Sequence, residues 1–277
     1  PHPNPCGADG LQNQLHPLDT AERAQLSQTE FEAIRDSDLS ILITPYLAIG
    51  VVILIMLLVI RLTKMPKNAD QSHAINFIPT LKRLYAVKRY RYGVVAQFFY
   101  VGAQIMCWTF IIQYGTRLFM SQGMEEQAAE VLSQKYNIIA MVIFCISRFV
   151  CTLMLKYVNP GQLLKVLAIA ASLCVLGVIF LQNIYGIYCL VGVSACMSLM
   201  FPTIYGIALK GMGDDAKFGA AGLIMAILGG SVLPPLQASL IDCKTLLGMP
   251  AVNVSFVLPL ICFLVIIVYG HRMRREK

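Results

Sequence analysis

Seven windows of about 20 mostly apolar residues constrain this chain more than any other feature, because that is the length an α-helix needs to cross ~30 Å of hydrocarbon. They lie near 41–62, 93–115, 137–157, 162–181, 185–209, 218–240 and 252–270. Hydrophobic residues make up 57% of the chain and charged residues 13%, against about 25% charged in soluble domains, so a soluble core does not account for the windows. Hydrocarbon offers the backbone no hydrogen-bond partners, which leaves helices or closed barrels as spanning structures. Windows this long select helices, and the pattern predicts an all-α membrane protein with seven transmembrane helices.

The net charge of +7 raises the question of nucleic acid, and the placement of the basic residues answers it. Of the 22 Lys and Arg, most fall in alternate connections and at the C-terminus: Arg61, Lys64, Lys67, Lys82, Arg83, Lys88, Arg89, Arg91, Lys156, Lys165, Lys210, Lys217, Arg272, Arg274, Arg275 and Lys277. Arg23, Arg35, Arg117, Lys135 and Lys244 lie on the other side. By the positive-inside rule the N-terminus is external and the C-terminus cytoplasmic. The excess charge therefore reports topology and contact with the lipid bilayer, and no nucleic-acid partner is expected.

The nine cysteines show no metal-ligand spacing. Seven (Cys107, Cys145, Cys151, Cys174, Cys189, Cys196 and Cys262) fall in spans, where a thiol packs as a small apolar group. Cys6 and Cys243 lie outside and leave one disulfide open. No cofactor or metal site is expected. The four His and nearly all the acids lie in connections, so the spans hold none of the constellations an intramembrane enzyme requires.

The second window is the most informative. In residues 94–114, VVAQFFYVGAQIMCWTFIIQY, Gln97, Tyr100, Gln104, Trp108 and Ile111 recur at intervals of three and four and share one helix face. A buried unpaired amide costs several kcal/mol in hydrocarbon, so the glutamines face either another helix or a water-filled cavity. An indole away from the interfacial belt, one and three turns from amides, has the chemistry of a sugar-binding wall.

Arg148 is the one charge well inside a span. At 1.5 Å per residue it lies roughly 12 Å from Lys156 along the helix, too deep to snorkel fully, and it reads either as a functional donor facing the bundle interior or as part of a structural ion pair. In the fifth span Pro202 predicts a kink, with Phe201, Thr203 and Tyr205 as cavity-lining candidates and packing as the alternative for Thr203. The glycine-rich stretch 211–219 joins two spans and follows no strand, so it is a tight turn in which Asp214 or Asp215 caps the next helix. Gly222, Ala226 and Gly230, four residues apart, predict a smooth packing face. The acids Glu125, Glu126 and Glu130 read as a solvated surface in an external loop over 116–136.

The run A-Q-F-F-Y-V-G-A-Q-I-M-C-W at 96–108 resembles the seventh helix of the fucose permease family, proton-coupled sugar symporters of the major facilitator superfamily. Residues 147–149, S-R-F, resemble that family's G-R-F in the eighth helix, and residues 201–205, F-P-T-I-Y, its Y-P-T-I-F in the tenth. The resemblance runs from about residue 39 to the C-terminus. It implies helices six to twelve of a twelve-helix transporter of the bacterial inner membrane, with a monosaccharide (fucose or a related hexose) and a proton as partners, together with an N-terminal half that supplies the coupling acids. It implies substrate binding by Gln97, Tyr100, Gln104, Trp108, Arg148, Phe201 and Tyr205. The expected organisation is an external segment with an amphipathic helix pair (1–40), a sixth helix (41–63), a cytoplasmic linker between halves (64–92), a six-helix half (93–271) and a cytoplasmic tail (272–277). A seven-helix receptor with an external N-terminus is the alternative; the chain carries neither an Asp-Arg-Tyr-like end to its third span nor Asn-Pro-x-x-Tyr in its seventh.

Overall fold

The structure is a computed structural model that describes residues 28–62, 77–242, 245–246 and 249–275. The chain divides into two compact units, residues 1–73 and 74–277. In the first, α1 (Gln28–Leu62) is one helix that runs through Pro45. The expected boundary near residue 40 and a separate helix pair are therefore not found; the part of that pair before residue 28 lies outside the described residues, as do Cys6 and Cys243. The apolar side chains of α1 from Leu47 to Leu62 are exposed within the unit, as befits a helix apolar on every side.

The second unit opens with α2 (Phe77–Ala86), a helix within the stretch expected to form the linker. After Val87, α3 (Lys88–Ser121), α4 (Glu126–Met154) and α5 (Pro160–Phe180) follow. The next span is split into α6 (Ile184–Met197) and α7 (Met200–Leu209). The sixth combines α8 (Ala216–Met225), a 3-10 turn (Ala226–Leu228) and α9 (Gly229–Ile241). Finally α10 (Ala251–Ser255) leads into α11 (Val257–Arg275). Counting α1, seven helical segments among the described residues are long and apolar enough to cross a membrane. Among the described residues the departure from an all-helical chain is a pair of two-residue antiparallel strands, Thr245–Leu246 with Met249–Pro250.

Helix ends follow local chemistry. Pro160 opens α5, where its missing N–H costs nothing. Asn183 caps α6 by accepting from the Tyr185 amide at 3.1 Å. The loop expected over 116–136 shrinks to residues 122–125, because both helices continue past the apolar window; Gly123, at φ +89°, makes the turn that other residues resist. The break between α6 and α7 falls one turn before Pro202, which has no N–H to offer the carbonyl of Ser198. Asp215 sits at the cap position of α8 but makes no capping bond; its carboxylate is held by Arg83 of α2 at 3.0 and 3.2 Å.

The core lies between α3, α5, α6, α7 and α11, around Tyr100, Met106, Ile111, Leu164, Ile187, Leu190, Phe256 and Phe263. The approach of α3 to the sixth span is close enough that a Cβ on Gly102 would collide with Leu233, and one on Gly229 with the backbone carbonyl of Phe98. The predicted small-residue face is used in this contact: Ala226 is buried, Gly222 meets Tyr90 and Gly230 meets Val101 and Ile105. Hydrogen bonds fasten one end of the unit, from Tyr114 Oη to the Leu181 carbonyl at 2.6 Å, Asn253 Nδ2 to the Val178 carbonyl at 3.0 Å and Gln237 Nε2 to Ser255 Oγ at 3.0 Å. Such bonds average about 0.6 kcal/mol in membranes, so together they orient the helices more than they stabilise them.

Candidate functional site

The polar face of α3 meets different surroundings along its length. At the level of Gln97 it is closed: Gly93, one turn earlier, lies against Ala208 of α7 and Tyr269 of α11, and Gln97 is 0% exposed with neither amide atom hydrogen-bonded. Gln97 therefore does not reach an open face; of the two surroundings that its spacing left open, it meets neighbouring helices. Two and three turns further, Gln104 and Trp108 are half-buried on the same face.

Trp108 is oriented by two neighbours that spacing on α3 could not supply. Its Nε1–H donates to Ser194 Oγ on α6 at 3.3 Å, and Ser194 donates in turn to the Leu190 carbonyl at 3.3 Å. Phe144 of α4 packs edge-to-face on the indole, with ring centroids 5.0 Å apart at 84°, a favoured aromatic arrangement. With the indole N–H engaged by the protein, the ring offers a ligand chiefly its apolar surface.

A second aromatic group lies along α7. Tyr100 is fully buried, its hydroxyl donating to the Met197 carbonyl at 3.0 Å beside the helix break. Its ring meets Phe201 at 6.1 Å and 65°, and Phe201 stacks on Tyr205 at 6.4 Å and 11°. Phe201 and Tyr205 are half-buried. Thr203 is buried and donates its hydroxyl to the Leu199 carbonyl at 2.7 Å, a carbonyl that also accepts the Thr203 amide, so the side chain is spent on its own helix and lines nothing.

Arg148 lies one turn beyond Phe144 on α4. It is exposed in this chain, not buried as its depth in the span suggested, because most of α4 is open to the outside of the unit. The structure thus brings Tyr100, Phe201 and Tyr205 together, sets Trp108 with Phe144 and Ser194, leaves Gln104 between the two groups along α3, and excludes Gln97. α5 and α11, which pack on each other, contribute no side chain to this aromatic row. A depression of about 290 Å³ lies elsewhere, at the α2 contact with the α7–α8 turn, lined by residues that include Arg83, Lys210 and Asp215.

Comparison with known proteins gives this face a context. The chain is 48% identical over 248 residues to the L-fucose-proton symporter of Haemophilus influenzae, covering 89% of this chain and 56% of that protein. It is 31% identical over 253 residues to the L-fucose-proton symporter of Escherichia coli, covering 89% and 55%. A glucose/galactose transporter of Brucella abortus is 25% identical over 229 residues, covering 82% and 52%. The crystal structure of a major facilitator superfamily transporter, FucP, in the outward conformation superposes with a TM-score of 0.76 at 28% identity, covering 94% of this chain and 61% of that one. No family model matches the chain. It spans about half the length of these curated relatives. It is a multi-pass membrane protein with the fold of the C-terminal portion of a major facilitator transporter, similar in sequence to sugar symporters, and these relatives lend the receptor alternative no support.

Proposed function

We propose that this chain, a relative of the L-fucose-proton symporters with a major facilitator fold, forms the C-terminal portion of a proton-coupled monosaccharide symporter that takes fucose or a related hexose. The observation that carries the reading is the half-open row in which Trp108, held by Ser194 and Phe144, lies about two turns along α3 from Tyr100 and its Phe201–Tyr205 neighbours. Aromatic faces suit the C–H surface of a sugar ring. Gln104 supplies an amide for hydroxyls and Arg148 a planar charged donor.

In this reading a further set of helices closes over the row, the sugar binds near mid-membrane between the two halves, and rocking of one against the other alternates access. Among the described residues no carboxylate lies in the middle of a span, so the proton-binding acid is assigned to the other half. The protein resides in a bacterial inner membrane, with residue 1 of this chain external and its C-terminus cytoplasmic, as the basic residues direct.

Uptake of labelled L-fucose by cells producing the complete reading frame tests the proposal. Accumulation that collapses with a protonophore supports it. Uptake driven by sodium alone, or no uptake of any hexose by well-inserted protein, contradicts it.

A further inference from the structure

At the end of the helix unit where α3 begins and α11 ends, two guanidiniums converge on one phenol. Arg91 lies 5.5 Å from the Tyr85 ring centroid and 5.7 Å from that of Tyr92, and Arg272 lies 4.9 Å over the same Tyr92 ring. Both charges act on the Tyr92 hydroxyl. Cation–π contacts of this kind fix a guanidinium in place without neutralising it. Among the described residues no carboxylate pairs with Arg91 or Arg272, while Asp215, at the same end, is engaged by Arg83; Glu276 lies outside the described residues.

Two like charges held at one neutral ring repel each other, and an anion bound beside them relieves the repulsion. The anion must be one available where apolar helices end. Arg91 precedes and Arg272 follows the apolar windows of their helices, which puts both at the headgroup layer, and Tyr85, 64% exposed, is the kind of side chain that settles there. A phosphodiester offers oxygens to two guanidinium forks at once.

We propose that Arg91, Arg272, Tyr85 and Tyr92 form a binding site for the phosphate of an anionic phospholipid headgroup in the leaflet at this end. The site is separate from the aromatic row and does not depend on which solute the protein carries.

The test is native mass spectrometry of the complete transporter in detergent, titrated with phosphatidylglycerol or phosphatidylcholine. Wild type should retain phosphatidylglycerol preferentially; at about 1 kcal/mol per basic residue near anionic lipid, Arg91→Gln or Arg272→Gln should weaken that retention about fivefold and the double variant about 25-fold. Arg117→Gln, at the far end of α3, should change nothing. If the double variant fails to insert, Arg91→Lys/Arg272→Lys is read instead: it keeps the charge but loses the planar forks, and should bind phosphatidylglycerol more weakly than wild type. Equal retention of the two lipids, an equal loss in Arg117→Gln, undiminished binding by the substituted proteins, or displacement of the lipid by excess inorganic phosphate would each overturn the proposal.

Discussion

The indole N–H of Trp108 donates to the hydroxyl of Ser194 at 3.3 Å, across the interface of α3 and α6. Ser194 is 1% exposed, so it sets the ring's angle from behind and touches no ligand itself. Ser194→Ala should weaken apparent sugar affinity by about tenfold or less, the scale of one hydrogen bond worth about 1 kcal/mol. Phe144→Ala, which removes an edge-to-face pair worth about 0.5–1.5 kcal/mol, should act in the same direction. Initial uptake rates against sugar concentration, normalised to inserted protein, measure both.

Arg148 separates positioning by geometry from positioning by charge. Lysine keeps the charge and loses the fork of donors. If the fork serves sugar binding or switching, Arg148→Lys should lower uptake nearly as far as Arg148→Ala with protein level unchanged. Near-normal uptake by Arg148→Ala would remove the residue from the site.

Gln97 gives the opposite prediction. Its amide is buried without a partner, so replacing it with an apolar side chain removes a desolvation cost and no bond. Gln97→Leu should insert and transport like wild type. Lost uptake at normal protein level would return Gln97 to the site.

How much was legible in the sequence follows from what each signal measures. Apolar length marks hydrocarbon thickness and not helix length, so the seven spans were readable while α3 and α4 ran past their windows into Lys88 and Glu126. Helical spacing put Gln97, Gln104 and Trp108 on one face, but which of them is covered depends on where α7 and α11 cross α3, and one helix's periodicity holds no record of that. Phe144 could have been found, being one turn from Arg148 on the same face. The carboxylate of Asp215 could not: its partner Arg83 is 132 residues away, and only the fold brings them together.

The sixth span predicts an order of tolerance. A Cβ on Gly102 would meet the flexible end of Leu233, whereas one on Gly229 would meet the backbone carbonyl of Phe98. Overpacking costs about 1–3 kcal/mol, and the rigid neighbour should set the upper end. Gly229→Ala should lower the Tm of the purified protein more than Gly102→Ala; the reverse order would mean that α3 and α9 are less closely packed than described.

For α2, the Arg83–Asp215 pair should give a coupling energy of about 0.5–1 kcal/mol in a double-mutant cycle, as expected for a bidentate pair whose arginine is mostly exposed and whose aspartate is partly buried. Thermal unfolding of Arg83→Ala, Asp215→Ala and the double variant measures it. Coupling near zero would mean that the pair does not fasten α2.

The central claim, that the half-open aromatic row receives the sugar, is tested most directly by the emission of Trp108. It is the one tryptophan in this chain, so the complete transporter with any tryptophans elsewhere replaced by phenylalanine reports on this ring alone. Saturable quenching or a shift by L-fucose, at concentrations matching half-maximal uptake and lost in Phe144→Ala, is the predicted result. Emission indifferent to sugar in protein that still transports would contradict it.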